Sequence, residues 1–157
     1  MREIDINQIM VELKEKIGKE KVSNEQEILE FFSSDDSILP RILPDLVVTP
    51  TTIEEIQEIL TIANNYKMCL IPSSSTKKYY GATIPKDGGI IIDLRKMNKI
   101  LEIDEDERYV RIEPGVTYKQ LQTELKKHGL RIMVPLGFPS SASVVSTYME
   151  RVPLLSG

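Results

Sequence analysis

The chain has 157 residues, 41% hydrophobic and 28% charged, which is typical of one globular domain. Its 20 basic and 24 acidic side chains give a net charge of −4, which argues against nucleic-acid binding through bulk charge. One cysteine and one histidine exclude an intrachain disulfide and a zinc site built from these residue types.

The first 43 residues are predicted to form a helical extension. No signal-peptide pattern is present, and no stretch approaches the ~20 apolar residues of a membrane span, so we expect a cytoplasmic protein. An apolar stripe predicts a first helix that ends at Gly18, and residues 24–32 form a second helical pattern. The stripe consists of Ile6, Met10, Leu13 and Ile17. Pro40 and Pro44 mark a linker, so we place the main domain at residues 44–157.

A strand–helix–strand unit opens the main domain. Residues 46–48 and 68–71 are apolar strand runs, and Cys69 is expected to be buried in the second. Thr52 and Glu55 form a capping-box pattern at the start of the helix between them. Its predicted inner face consists of Ile53, Ile56, Leu60 and Ala63. The two strands should therefore be parallel.

A polar loop follows the second strand, at the position where open α/β sheets bind ligands. It contains four consecutive hydroxyl side chains and two lysines: Ser73, Ser74, Ser75, Thr76, Lys77 and Lys78. Hydroxyl and backbone donors beside positive charge suit a phosphate or diphosphate, although the P-loop spacing is absent. A solvated surface loop rich in turn-forming residues explains the same composition, so composition leaves both readings open.

The rest of the chain combines strands with one further helix. Residues 90–92 form a strand, and residues 100–104 and 109–113 form a hairpin with an acidic tip. Pro114 and Gly115 turn the chain into a helix capped by Thr117, with Gln120 as its capping-box partner and Val116 and Leu121 as a hydrophobic staple. Beyond residue 130 the sequence is predicted to be irregular. The predicted fold class is α+β.

Several segments, in order and at the right spacing, resemble one family. "PDLVVTPTTIEEIQEIL" (residues 44–60), "GGIIIDLRKMNKILEID" (88–104) and "RIEPGVTYKQLQ" (111–122) resemble the FAD-binding domain of the p-cresol methylhydroxylase and vanillyl-alcohol oxidase superfamily. Pro72 and Gly81 have the spacing found around that family's pyrophosphate loop. Glycolate oxidase and D-lactate dehydrogenase flavoproteins belong to the same group. The resemblance implies that residues 44–157 are the N-terminal part of an FAD-binding domain, incomplete at its C-terminal end.

The resemblance also implies two cofactor-lining stretches. The first comprises Ser73, Ser74, Ser75, Thr76, Lys77, Lys78 and Gly81 and would hold the FAD pyrophosphate. The second lies within residues 135–146 and contributes Pro135, Ser141, Ser143 and Val144.

The first loop departs from the family pattern in two ways. Ser74, Ser75 and Thr76 stand where glycines are common, so the loop must run at negative φ or contact phosphate differently. Some members attach FAD covalently to a loop histidine, and Lys77 occupies that place here, which favours non-covalent FAD. His128, at the end of a predicted helix, is interpreted as a surface or capping residue.

The resemblance implies an FAD-binding component of a flavin-dependent oxidoreductase that is not catalytic alone, with 2-hydroxy acids as the candidate substrate class. No catalytic residue is assigned. The alternative is a non-catalytic assembly subunit, or a truncated remnant, that no longer binds FAD. Apolar residues near the C-terminal end favour a partner protein or a homo-oligomer that completes the domain: Val144, Val145, Leu154 and Leu155. A stand-alone phosphate-binding module is a third alternative.

Overall fold

The computed structural model describes residues 5–78, 81–135 and 137–149. They fall into two compact units, one formed by Met1–Ser73 and Lys78–Asp93 and the other by Ser74–Lys77 and Leu94–Gly157. Leu154 and Leu155, which contribute to the expectation of a partner protein, lie outside the described residues. No helix in the described ranges is long and apolar enough to cross a membrane.

The first unit is built on a four-stranded sheet. Its strands are β1 (Val22–Ser23), β2 (Leu46–Val48), β3 (Leu70–Ser73) and β4 (Ile90–Asp93), in the order β1-β2-β4-β3. Both β2 and β3 run parallel to β4, and β1 pairs antiparallel with β2. The predicted parallel direction of β2 and β3 is confirmed, with β4 between them. The predicted N-terminal extension supplies the edge strand β1.

Three helices accompany this sheet: α1 (Ile6–Ile17), α2 (Gln26–Phe32) and α3 (Ile53–Tyr66). Helix α1 ends at Gly18 as predicted, with a φ of 99° that suits glycine. It buries Leu13 and Ile17 as predicted, but Ile9 takes the place expected for Met10.

The predicted inner face of α3 is wrong at two of its four positions. Ile53 and Leu60 are 64% and 49% exposed, whereas Ile59, Ile62 and Ala63 are buried. Isoleucine and leucine cover about half of the helix surface at 3.6 residues per turn, so helical spacing alone did not select which part of that arc is buried. The predicted cap is confirmed, because the Thr52 hydroxyl accepts the Glu55 N–H at 3.3 Å.

Strand β3 begins later than expected, and this corrects the prediction for Cys69. The strand starts at Leu70, so Cys69 precedes it and is exposed. Ile71 packs instead into a buried cluster on the sheet. The other buried members of that cluster are Phe32, Val47 and Ile91.

The second unit contains a hairpin and two helices. Strands β5 (Ile100–Asp104) and β6 (Tyr109–Ile112) pair antiparallel as predicted. Helix α4 (Tyr118–Lys127) has the predicted Thr117 cap, whose hydroxyl accepts the Gln120 N–H at 3.2 Å. Helix α5 (Val144–Met149) was predicted as irregular; with only six residues it has little periodicity to detect. The buried core consists of Val116, Tyr118, Leu121, Leu125, Ala142 and Val144.

Candidate functional site

The middle of the hydroxyl-rich loop, Ser74–Lys77, belongs to the second unit. Ser75 is 3% exposed, and its hydroxyl oxygen accepts the N–H groups of Lys77 and Ser143, each at 3.2 Å. The described non-glycine residues with positive φ are Lys67 and Arg108, so the serines run at negative φ as expected. The loop therefore takes its turn from a side-chain hydrogen bond rather than from glycine.

Ser143 joins this loop to the second predicted stretch. It is fully buried, and its hydroxyl donates to the Pro114 carbonyl at 2.7 Å and accepts the Ser146 N–H at 3.2 Å. The hydroxyl of Ser74 lies 3.1 Å from that of Ser143. Because the Ser143 proton is directed at Pro114, Ser74 is the donor in this pair. Two predicted site segments, nearly 70 residues apart in sequence, are thus brought together within one unit.

The turn before α4 supports this second segment. The Val144 N–H donates to the Val116 carbonyl at 2.9 Å, and the Tyr118 N–H donates to the Ala142 carbonyl at 3.1 Å. An isolated β-bridge joins Thr117 to Ser143. The start of α4 therefore fixes the backbone on either side of Ser143.

The predicted site residues of the second unit differ in exposure. The exposed ones are Thr76, Lys77 and Ser141. The buried ones are Ser75, Ser143 and Val144, and Ser74 and Pro135 are half-buried. The hydrogen bonds that join Ser74, Ser75 and Ser143 form a serine network. Among the described residues, Pro135 and Ser141 take no part in it, and the Pro135 carbonyl accepts the Phe138 N–H at 3.3 Å. The network thus orders the backbone, and three polar side chains remain on the surface.

Lys78 and Gly81 belong to the first unit. Lys78 is 5% exposed; its ammonium donates to the Phe31 carbonyl at 2.6 Å and lies 4.7 Å and 4.9 Å from the ring centres of Phe31 and Phe32. The Gly81 N–H donates to the Asp35 carboxylate at 2.6 Å. Both residues are therefore held by α2 and the segment that follows it.

Asp35 is stabilised in its charged form. Burial by itself would raise the pKa of its carboxyl, but hydrogen bonds from Ser37 and Gly81 and the charge of Lys78 outweigh it and lower the pKa. Sequence reasoning missed Asp35 and Phe31 as partners of the loop. No local pattern marks them, because Phe31 lies 47 residues before its partner Lys78 and Asp35 lies 46 residues before its partner Gly81.

His128 and the buried Tyr118 lie elsewhere in the second unit. His128 is the C-cap of α4, and its Nδ1 lies 2.6 Å from a Glu105 carboxylate oxygen at the hairpin tip, in keeping with the predicted capping role. Burial raises the pKa of the Tyr118 hydroxyl. Neither residue belongs to the serine network.

Comparison with known proteins identifies the family. The sequence model of a family described as FAD binding domain matches residues 44–152, well over half of the chain. The chain belongs to this family. FAD is therefore the cofactor of the domain, as the resemblance implied.

Relatives of this FAD-binding domain include a flavoprotein subunit and a D-lactate dehydrogenase. The 4-cresol dehydrogenase [hydroxylating] flavoprotein subunit of Pseudomonas putida is 36% identical over 111 residues, 69% of this chain and 21% of that protein. D-lactate dehydrogenase of Anaerostipes hadrus is 32% identical over 134 residues, 83% of this chain and 28% of that protein. The chain thus spans between a fifth and a third of these relatives.

The predicted fold class is confirmed by a solved structure. The crystal structure of p-cresol methylhydroxylase with substrate bound matches 92% of this chain and 29% of that protein, with a TM-score of 0.81 and 30% identity. The chain therefore has the α+β fold of the p-cresol methylhydroxylase FAD-binding domain.

The residues present fit an FAD pyrophosphate. Ser73 is 2% exposed, and its hydroxyl has no hydrogen-bond partner in the part of the chain that the structure describes. A buried hydroxyl without a partner is costly and is commonly satisfied by a ligand or water. In the second unit, to which Ser73 does not belong, Lys77 is exposed and can supply positive charge.

Proposed function

We propose that the second unit binds the pyrophosphate of FAD through Ser74–Lys77 and the segment around Ser143. The hydrogen bond between Ser75 and the Ser143 N–H carries this proposal. It brings together two segments that the family resemblance assigns independently to the cofactor. It also holds the loop in one conformation before the cofactor arrives, which reduces the entropic cost of binding.

The exposed side chains would make the direct contacts. Lys77 supplies a cation, and Thr76 and Ser141 supply hydroxyl donors, which together suit a diphosphate of two negative charges. Ser75 and Ser143 have their hydroxyl oxygens engaged within the protein, so their role is to shape the loop. Without a loop histidine, the FAD would be held non-covalently.

FAD, when bound, supplies hydride chemistry, and the protein positions it. We propose that the whole protein is an FAD-linked oxidoreductase acting on 2-hydroxy acids, which is the substrate class of the D-lactate dehydrogenase relative. The 4-cresol dehydrogenase relative makes a phenol the second candidate. No residue of this chain is assigned to catalysis. A partner protein or a second copy of the chain would complete the domain. A cytoplasmic location stays a prediction.

A non-catalytic assembly subunit remains the alternative, and the serine network favours it in one respect. Glycines in such loops leave backbone N–H groups open to a phosphate, whereas the N–H groups of Lys77 and Ser143 are already bonded to Ser75 here. A chain that only assembles with a partner would keep this internal network and bind no cofactor.

Titration of the purified chain with FAD separates the two functions. We expect flavin absorbance to co-purify or to be restored by added FAD, and we expect ADP to compete because it carries the same pyrophosphate. Riboflavin, which lacks this group, serves as the control and should bind far more weakly. A chain that binds neither FAD nor ADP would support the assembly alternative.

A further inference from the structure

Two adjacent lysines in the loop have opposite environments. Lys77 is exposed, whereas Lys78 is 5% exposed and its ammonium donates to the Phe31 carbonyl at 2.6 Å. Two aromatic rings lie beside the ammonium, which is 4.7 Å from the Phe31 ring centre and 4.9 Å from that of Phe32. These rings lie edge to face with their centres 4.9 Å apart.

A buried ammonium is stable only where its charge is compensated. Moving it from water into the protein is costly unless hydrogen bonds and nearby negative charge replace the lost hydration. Here the Phe31 carbonyl and the ring faces provide that compensation, and the nearby Asp35 carboxylate adds to it. Reaching a ligand would require Lys78 to give up these contacts, whereas the Lys77 side chain is already exposed.

The same short segment holds the backbone at and beyond Lys78. The Asp36 N–H donates to the Lys78 carbonyl at 3.2 Å, and the Gly81 N–H donates to the Asp35 carboxylate at 2.6 Å. Together with the contact at Phe31, three hydrogen bonds connect residues 31–36 with residues 78 and 81. Lys78 and Gly81 are thereby both held by the segment of residues 31–36.

We propose that Lys78 is a positioning residue, which anchors the end of the cofactor loop on the Phe31 carbonyl and does not contact the cofactor. The inference rests on the proposed function. It assigns different roles to the adjacent lysines Lys77 and Lys78. Lys77 contributes charge to the pyrophosphate, and Lys78 holds the backbone that continues from Lys77. Substitution of either lysine should weaken FAD binding, but by different routes.

Three variants of the full chain test this division: Lys78→Met, Lys78→Arg and the matched neighbour Lys77→Met. Amide hydrogen exchange without ligand is read at Asp36 and Gly81, with Gly89 as an internal control because its N–H also donates to a carboxylate, that of Asp45, at 2.6 Å. FAD dissociation constants are measured on the same proteins. Thermal unfolding verifies that each variant is folded.

For Lys78→Met we expect exchange at Asp36 and Gly81 to accelerate about tenfold, with Gly89 unchanged, and the FAD dissociation constant to rise about tenfold. Lys78→Arg, which keeps a cationic donor, should recover most of both effects. Lys77→Met should weaken FAD binding with exchange unchanged.

Three results would overturn the inference. They are unchanged exchange at Asp36 and Gly81 in Lys78→Met, equal acceleration in Lys77→Met, or a Lys78→Arg protein that behaves like Lys78→Met. If the unmodified chain binds no FAD, the proposed function fails. The exchange measurements still decide whether Lys78 is the anchor.

Discussion

Ser75 shows how a small side chain can replace glycine in the proposed cofactor loop. Its oxygen accepts two backbone N–H groups, from Lys77 two residues later and from Ser143 across the unit. The first bond closes a local turn at negative φ, and the second determines which segment lies beside it. The sequence indicated that the run of hydroxyl side chains was a candidate phosphate-binding loop. It could not predict Ser143 as the partner, because no local pattern specifies a contact 68 residues away.

Replacing Ser75 with alanine should destabilise the second unit by about 1–3 kcal/mol, because the buried N–H of Ser143 loses its acceptor. Urea unfolding at neutral pH measures this difference. The matched control is Thr76→Ala, an exposed neighbour, which should change the free energy of unfolding by less than about 0.5 kcal/mol. Equal stability of the two variants would show that the Ser75–Ser143 hydrogen bond does not support the loop.

Among the elements, the turn at residues 113–117 does most to position the site. The Val116 N–H donates to the Glu113 carbonyl at 3.2 Å, which confirms the predicted turn, and the Pro114 carbonyl accepts the Ser143 hydroxyl. A Cβ at Gly115 would lie 2.6–2.8 Å from three backbone carbonyl oxygens. Glycine is therefore required here by close approach of the backbone rather than by an unusual φ.

Gly115→Ala should cost about 3 kcal/mol or more, because the surrounding carbonyls are backbone and cannot move aside without distorting the turn. Gly129→Ala is the control, since nothing lies within 4 Å of its Cβ position and only its φ of +69° is strained. That variant should lose about 1–2 kcal/mol. Chemical denaturation of both proteins measures the difference, and a Gly115→Ala protein as stable as Gly129→Ala would contradict the close approach.

The elements with local signals were predictable, and those defined by packing were not. Caps at Thr52 and Thr117 and the end of α1 at Gly18 each depend on a few neighbouring residues, and all three are confirmed. The inner face of α3 depends on which side meets the sheet. Apolar residues cover about half of that helix, so only packing could select which part of this arc is buried.

For the whole molecule, the central expectation is that FAD stabilises the folded chain. A ligand that binds only the folded state at 100 times its dissociation constant adds about 2.7 kcal/mol to the free energy of unfolding. For a chain of this size that should raise the melting temperature by roughly 5–10 °C. Thermal unfolding at increasing FAD concentration measures the shift. Riboflavin at the same concentrations should produce a much smaller shift in melting temperature. Equal shifts for FAD and riboflavin would show that the pyrophosphate contributes little to the binding free energy.

The sequence by itself determined the family, the α+β class and most element positions, because these depend on short motifs, periodicity and capping residues that act locally. It also singled out the hydroxyl-rich loop. Only the tertiary structure decided how that loop is used: Ser75 and Ser143 are buried against each other, Lys77 is exposed and Lys78 is buried on Phe31. Identical neighbouring lysines have the same local propensity, so their different environments arise from contacts between segments distant in the chain.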